Sequence, residues 1–308
     1  METSSGFWWE VPRHGFRWVT SEGLEASVQL TERQPSGVRR QVRRYSPLDI
    51  PALFRNFADT EPTQEGILAF ANQYGALERA NTGERTQSFS WWVYQINDMR
   101  LLVKLWDAIE AGDTETVQQH IEVEEGDGQK IFWRYDGDPE DIKLASNRRA
   151  LARFRGFPSS PIQLTHGDFN CAALFLVEEL TDERLVAGVS MRMMYNTEQD
   201  SLRLQVVPQS LLGALWYQFA RSVDEHRCYR RCLVCGTWFK ISDEASRTSR
   251  LFHSNACRSK AYRERQATAA QLFASGISVE EIAQQLESDV ATVQGWLTGA
   301  KRRRSRRS

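Results

Sequence analysis

Three cysteines and one histidine near the C-terminus have the spacing of a metal site. Cys232 and Cys235 are separated by two residues, and His253 and Cys257, separated by three residues, follow after 17 more. Two thiolates on a tight turn and two ligands one helical turn apart can close a tetrahedron around Zn²⁺. Because such a set leaves no open position for a substrate, we expect one structural zinc ion rather than a catalytic one.

The residues around these ligands suit a small metal module. Gly236 follows the second cysteine, where a metal-binding turn needs the left-handed conformation that glycine supplies. Ser254 is placed to cap a helix that begins near Asn255, so that Cys257 lies on its first turn and faces His253. Cys228, four residues before the first ligand, is a competing ligand, and the spacing alone does not choose between them.

Charge is distributed unevenly along the 308 residues. Residues 226–308 carry 16 Lys and Arg against 7 Asp and Glu, a net charge of +9, whereas residues 1–225 carry 23 against 33, a net charge of −10. A basic segment of this kind favours a polyanionic partner. The chain shows neither a secretion signal nor a long apolar run, so we expect a cytoplasmic protein without a membrane partner, whose cysteines are thiols or metal ligands.

Helix signals follow the metal module. The helix that begins near Asn255 is predicted to continue over Arg263–Ser275 and to end at Gly276. Ser278 and the glutamate three residues later form a capping box for a second helix, and Asp289 is placed to cap a third. The segment Ser278–Leu297 resembles the helix-turn-helix of the DNA-binding domains of resolvases, invertases and transposases.

This resemblance implies a set of DNA contacts. The third helix would enter the major groove, where Gln294 can bind adenine and the Thr292 methyl group can contact thymine. The arginines that follow would neutralise phosphates or enter the minor groove. The predicted DNA-contacting residues are Ala291, Thr292, Gln294, Thr298, Lys301, Arg302, Arg303, Arg304, Arg306 and Arg307.

The metal module has its own family resemblance. The segments Tyr229–Phe239 and Phe252–Arg263 resemble the C-terminal zinc ribbon of bacterial CGNR-type zinc-finger proteins. In those proteins the ribbon follows a larger N-terminal domain, and the resemblance implies a stress-responsive transcription regulator. His253 stands where the family usually has cysteine, and Arg258–Lys260 replaces the Gly-Asn-Arg sequence after the last ligand.

The chain divides into four predicted segments. Residues 1–225 form an α+β domain that senses a ligand or mediates assembly, and a division into two subdomains near 125–160 stays open. Residues 226–265 form a treble-clef or zinc-ribbon-like module, residues 266–300 form an all-α helix-turn-helix, and residues 301–308 form a basic tail.

Apolar patterns predict the elements of the first segment. A long helix is predicted over Ser90–Ala111, and Ala172–Glu178 and Leu202–Val207 are predicted to be strands. Pro208 is predicted to occupy the first turn of the next helix.

One sequence in this segment, His166–Asn170, resembles the catalytic loop of aminoglycoside-type phosphotransferases. That chemistry also needs a phosphate-binding loop, a strand lysine and a second metal-binding aspartate. Because no convincing set of these residues is found, we expect a turn between strands here and no enzyme activity.

Together these features predict a DNA-binding protein, in the first place a bacterial transcription regulator. A single small DNA-binding domain binds weakly, so we expect a homodimer on a paired DNA site. We also expect residues 1–225 to bind a small-molecule or protein ligand. Two other classes stay open: an adaptor whose zinc ribbon binds protein or RNA, and a DNA-targeted component of a mobile-element or defence system.

Overall fold

The computed structural model describes residues 7–20, 28–79, 87–124, 130–135, 142–146, 169–196, 200–241 and 250–304. The chain divides into two units, Met1–Arg227 and Cys228–Ser308, called the N-terminal and the C-terminal unit below. Helices and short antiparallel sheets alternate in the N-terminal unit, so its predicted mixed α and β character is confirmed. Within the described residues, no helix combines the length and the apolar composition that crossing a membrane requires.

The first four strands form two nested antiparallel pairs. Strand β1 (Trp9–Pro12) pairs with β4 (Val42–Tyr45), and β2 (Phe16–Thr20) pairs with β3 (Val28–Glu32). The buried indole of Trp9 donates a hydrogen bond to the carbonyl of Ala76 at 3.0 Å, which ties β1 to the chain beyond the second helix.

Four helices follow these strands. They are α1 (Leu53–Ala58), α2 (Gln64–Tyr74), α3 (Phe89–Ala111) and α4 (Thr114–His120). The prediction of a helix at Ser90–Ala111 is confirmed, and Ser88 caps it by accepting the N–H of Trp91 at 3.2 Å. Buried apolar side chains recur along α3 at helical spacing, which makes this helix the centre of the core. They include Trp92, Ile96, Met99, Leu102 and Leu105.

A three-stranded sheet and another long helix come next. Strands β5 (Ile121–Glu124), β6 (Lys130–Arg134) and β7 (Ile142–Ser146) pair in that order. Helix α5 spans Phe169–Gly188, so the prediction of a strand at Ala172–Glu178 is wrong. The buried residues Ala172, Ala173, Phe175, Leu176 and Val177 face the core from successive turns of this helix. The prediction failed because a short apolar run fits a buried strand and a buried helix equally well, so its pattern does not distinguish them.

Helix α5 is held to α3 by a buried polar cluster. The carboxylate of Asp98, on α3, is fully buried and accepts a hydrogen bond from Arg184 of α5 at 2.6 Å. The hydroxyl of Tyr135 donates to the same carboxylate, and Arg184 also donates to the hydroxyl of Tyr94 at 2.9 Å. These hydrogen bonds satisfy a buried charge that would otherwise be costly.

The N-terminal unit ends with a hairpin and a helix. Strands β8 (Val189–Asn196) and β9 (Ser201–Pro208) pair over their full length, which confirms the strand predicted at Leu202–Val207. The prediction that Pro208 starts the next helix is wrong, because Pro208 is the last residue of β9. Helix α6 (Leu211–Asp224) is instead capped by Ser210, whose Oγ accepts the N–H of Gly213 at 3.1 Å.

The start of α6 passes very close to the end of α5. A Cβ atom on Gly213 would lie 2.1 Å from the carbonyl oxygen of Gly188, so only glycine fits at this crossing. The close approach lets α6 bury Leu211, Leu215 and Trp216.

The C-terminal unit contains a short hairpin followed by three helices. The hairpin consists of β10 (Tyr229–Arg231) and β11 (Trp238–Lys240). The helices are α7 (Asn255–Ala274), α8 (Val279–Gln285) and α9 (Val290–Arg304). Helix α7 runs across the predicted boundary between residues 265 and 266, so one helix serves both the metal module and the three-helix part.

Candidate metal centre and adjoining helices

The first two candidate ligands lie on the turn that joins β10 to β11. The N–H of Cys232 donates to the carbonyl of Thr237 at 3.0 Å, and the N–H of Gly236 donates to the carbonyl of Cys232 at 2.9 Å. Gly236 has φ of 68°, the left-handed conformation expected of it. These hydrogen bonds hold Cys232 and Cys235 on one side of a tight turn.

The other two candidate ligands are positioned by the start of α7. Ser254 caps the helix, because its Oγ accepts the N–H of Cys257 at 3.3 Å. The segment before the cap is fixed by Arg250, which donates to the carbonyls of Phe252 at 2.8 Å and of His253. His253 therefore sits beside the first turn of α7, next to Cys257, as the sequence predicts.

The four side chains converge to metal-binding distances. Their candidate ligand atoms all lie within 4.8 Å of one another. The Sγ atom of Cys235 is 3.3 Å from Nδ1 of His253 and 3.7 Å from Sγ of Cys257. Zn–S and Zn–N bonds of about 2.3 and 2.0 Å give tetrahedron edges of roughly 3.5–3.8 Å. The four residues thus lie close enough to hold a metal ion, and their donor types are those of a zinc site.

Two of the thiols at this site, those of Cys232 and Cys257, have shifted pKa values. Burial by itself raises the pKa of the Cys232 thiol, but hydrogen bonds from His253 and from the N–H groups of Val234 and Cys235 lower it to about 5. The pKa of Cys257 is raised, first by burial and then by the neighbouring sulfur atoms. The Cys232 side chain is therefore a thiolate at neutral pH, which is the form that binds metal.

Cys228, the competing ligand, lies outside this group. Its carbonyl accepts the N–H of Ile241 at 2.9 Å, which places it at the open end of the hairpin, one residue before β10. Four residues of extended chain separate its Cα from that of Cys232 by roughly 13 Å. Among the described residues, the cluster that could hold a metal contains Cys232, Cys235, His253 and Cys257 only.

The three helices after the turn share a small buried core. It is formed by Ala269 of α7, Ile282 and Ala283 of α8, and Val293 and Trp296 of α9. The predicted capping box is present, since Ser278 accepts the N–H of Glu281 and the Glu281 carboxylate accepts the N–H of Ser278, both at 3.3 Å.

The turn between α8 and α9 is short. It spans Leu286–Asp289, and Glu287 has φ of 46°, a left-handed conformation at the position where glycine is usual. Asp289 caps α9 by accepting the N–H of Thr292 at 2.7 Å. Both predicted caps are thus present, and the turn is completed without a glycine.

The predicted DNA-contacting residues do not all occupy equivalent positions. Ala291, Gln294 and Thr298 are exposed on α9. Thr292 is only partly exposed, and its hydroxyl donates to the Asp289 carboxylate at 2.7 Å, so it also serves the cap. Lys301, Arg302, Arg303 and Arg304 belong to the last turn of α9, whereas Arg306 and Arg307 lie outside the described residues.

The first half of α7 carries basic residues that the predicted contact set omits. Arg258, Lys260, Arg263 and Arg265 are all exposed, with Glu264 as the only acidic residue among them. Lys260 and Glu264 approach to 3.8 Å, which is a weak surface pair. Four basic residues within eight positions of one helix were the sequence signal that could have identified this face.

The N-terminal unit has a large open cavity. Its volume is about 1290 Å³, and Trp8, Trp9 and Phe16 contribute to its lining. Arg40 also lines it, but its guanidinium is engaged by Glu10 at 2.8 Å and by Glu32 at 3.0 Å. The cavity has room for the expected ligand, while its charged side chains are largely paired with one another.

The phosphotransferase-like sequence lies only partly within the described residues. His166, Gly167 and Asp168 lie outside the described residues, and Phe169 and Asn170 form the first turn of α5. The prediction of a turn between strands is therefore wrong at these last two residues, because the apolar run after them is helical.

Comparisons with protein-family models, with curated proteins and with solved structures find no match to this chain. The resemblances to CGNR-type zinc-finger proteins and to resolvase-type helix-turn-helix domains stay predictions.

Proposed function

We propose that this protein binds DNA through its C-terminal unit, with one structural zinc ion at the Cys232, Cys235, His253 and Cys257 site, and that it acts as a transcription regulator. The observation that carries the proposal is the exposed face of α9. Its buried side chains, Val293 and Trp296, point into the three-helix core. Ala291, Gln294 and Thr298 lie on the opposite, solvent-exposed side.

The short turn between α8 and α9 supports a role in major-groove recognition. Two helices joined by a turn of about four residues are typical of a helix-turn-helix, in which the second helix contacts base edges. Gly295 lies on the exposed face beside Gln294, and nothing occupies the space where its Cβ would be. The backbone of α9 can therefore approach a DNA groove closely at this point.

Basic residues flank this face at two places. Helix α9 continues through Lys301–Arg304, and α7 exposes Arg258, Lys260, Arg263 and Arg265. Tyr262 of α7 packs edge-on against Trp296 of α9, with ring centroids 5.7 Å apart, which joins the basic half of α7 to the proposed reading helix. Such residues would contact phosphates and supply affinity that does not depend on sequence.

Zinc would have a positioning role in this proposal. The metal would fix the hairpin turn against the first turn of α7, because two ligands come from each. It would thereby hold the start of the helix whose far end contributes Ala269 to the core of the reader. The two metal-binding elements have little apolar core of their own, so the ion would stabilise them directly.

Selection of genomic DNA by the full-length protein tests this proposal. The wild type should enrich a defined sequence, and Gln294→Glu should lose it, because a carboxylate on α9 repels the groove and cannot donate to adenine. We expect at least a roughly 10-fold loss of affinity for the selected site, measured by fluorescence anisotropy.

Gln284→Glu is the matched control, since Gln284 is exposed on α8 and the substitution changes the charge equally. It should keep the selected sequence and most of the affinity. Enrichment of the same sequence by wild type and by Gln294→Glu would refute the reading role of α9. Failure of the wild type to enrich any DNA sequence would refute sequence-selective DNA binding itself.

A further inference from the structure

The β8–β9 hairpin exposes an apolar face. Directly paired residues of antiparallel strands project from the same side, so Met191, Met193 and Tyr195 share one face with their partners Val206, Leu204 and Leu202. Five of these six side chains are between 59% and 67% exposed. The other side of the hairpin is mainly polar, with Ser190, Arg192, Ser201, Arg203 and Gln205 beside Met194 and Val207.

The apolar face of an amphipathic sheet usually packs against a core, whereas the apolar face of this hairpin is exposed. A two-stranded hairpin is marginally stable in water unless its apolar face packs against something. The described residues place the polar and the apolar faces of this hairpin both in solvent, apart from its base near Val189 and Pro208. An exposed apolar patch of this size marks an interaction surface.

The patch has an area suited to dimerisation. Five large side chains, each about 60% exposed and with about 200 Å² of surface, present on the order of 600 Å². Patches of this size are at the upper end for monomers. Together with its rim, the face approaches the roughly 800 Å² per partner of a standard interface.

The chemistry of the face fits an identical partner. None of its six side chains is charged, and the one carboxylate described beside it, that of the exposed Asp200, accepts a hydrogen bond from Tyr195, so two copies related by a two-fold axis would meet with little repulsion between like charges. Its single polar atom, the hydroxyl of Tyr195, already donates to the carboxylate of Asp200 in the same chain. Burial of the Tyr195 ring against another copy would therefore leave its hydroxyl paired.

We propose that the apolar face of the β8–β9 hairpin is the homodimer interface of this protein, packed against the same face of a second copy. The two hairpins would lie face to face at the spacing of stacked sheets, about 10 Å. The proposal concerns the N-terminal unit alone and does not depend on DNA binding. If the C-terminal unit reads DNA, the interface would give one dimer two readers for a paired site.

Sedimentation velocity of the full-length protein over roughly 0.5–50 μM, without DNA, tests the interface. The wild type should be dimeric over the upper part of this range. Met193→Thr/Leu204→Thr replaces one cross-strand pair on the apolar face with residues that favour strands, and it should raise the dimer dissociation constant at least about 100-fold. Leu204→Thr alone should raise it about 10-fold.

Gln205→Thr, on the polar face of the same strand, should leave the dissociation constant unchanged. The fluorescence of the buried Trp92 and Trp216 should stay the same in every variant, which separates loss of the interface from loss of the fold. A wild type that stays monomeric at about 50 μM would overturn the proposal. So would a double variant that dimerises as the wild type does, or a Gln205→Thr variant that is equally weakened.

Discussion

At the scale of single residues, the metal site depends most on its exposed member. The sulfur of Cys235 lies 3.3 Å from Nδ1 of His253 and 3.7 Å from Sγ of Cys257. Cys235→Ser should therefore lower bound zinc from about one ion per chain to less than about 0.2, because a hydroxyl is a poor substitute for a thiolate ligand. Elemental analysis of purified protein measures this ratio.

Cys228→Ser supplies the matched control for that substitution. It removes a cysteine only four positions from the first ligand, but from the opposite end of the hairpin. This variant should keep its zinc, and equal loss from both variants would contradict the assigned ligand set. A chelator should likewise unfold the hairpin of the C-terminal unit while the core of the N-terminal unit, which contains none of the ligands, keeps its unfolding transition.

The ligand residues could be predicted from the sequence because short-range spacing determines their geometry. Cys232 and Cys235 meet on one turn, and Ser254 fixes Cys257 by a cap within the same helical turn. The choice between Cys228 and the proposed set required the pairing of β10 with β11, which local spacing does not contain. The sequence likewise did not show that the Thr292 hydroxyl donates to the Asp289 cap; this contact is visible only in the structure.

At the scale of elements, the contact between α3 and α5 is set by one buried ion pair. Arg184 is 17% exposed and binds the fully buried carboxylate of Asp98 at 2.6 Å. Arg184→Met should lower the free energy of unfolding by about 3–5 kcal/mol, because it removes the arginine of a buried ion pair. Urea unfolding followed by tryptophan fluorescence gives this value.

Arg221→Met tests whether the loss of stability in Arg184→Met arises because that ion pair is buried. Arg221 pairs with Glu225 at 2.6 Å one turn along α6, but both side chains are about one third exposed. The same substitution should cost less than about 0.5 kcal/mol there, as is usual for a solvent-exposed pair. Similar losses at the two positions would contradict a special role for the α3–α5 ion pair.

Elements with strong local signals were predicted correctly, and those decided by packing were not. The capping box at Ser278 and the cap at Asp289 mark helix starts that the structure contains. The run Ala172–Val177 is apolar at every position, a pattern that fits a buried strand and a buried helix equally well, and here the run belongs to a helix packed against its neighbours. The pairing of β1 with β4 around β2 and β3 joins residues too distant in sequence for a local pattern to reveal.

At the scale of the whole molecule, the uneven charge predicts a strong dependence of DNA affinity on salt. Residues 226–308 carry a net charge of +9. If Arg263 and Arg265 on α7 contact phosphates, Arg263→Gln/Arg265→Gln should reduce the slope of log affinity against log salt by about 2. The loss should be similar for specific and unrelated DNA, since phosphate contacts carry no sequence information.

Titrations between roughly 50 and 200 mM NaCl measure that slope. Arg33→Gln/Arg39→Gln removes the same charge from exposed positions of the N-terminal unit and should leave the slope unchanged. An unaltered slope in the α7 variant would show that this basic face does not meet the DNA backbone, whatever the role of α9.

The continuity of α7 has a mechanical consequence. Cys257 lies on its first turn, and Tyr262 and Ala269 further along contact the other two helices. Since each residue of an α-helix adds about 1.5 Å and 100°, residue number alone sets the rotational phase between the metal site and the exposed face of α9. One residue inserted after Ser259 would turn that face by about 100° without disturbing a single ligand or core contact. Seven inserted residues would nearly restore its direction while moving it about 10 Å along the axis.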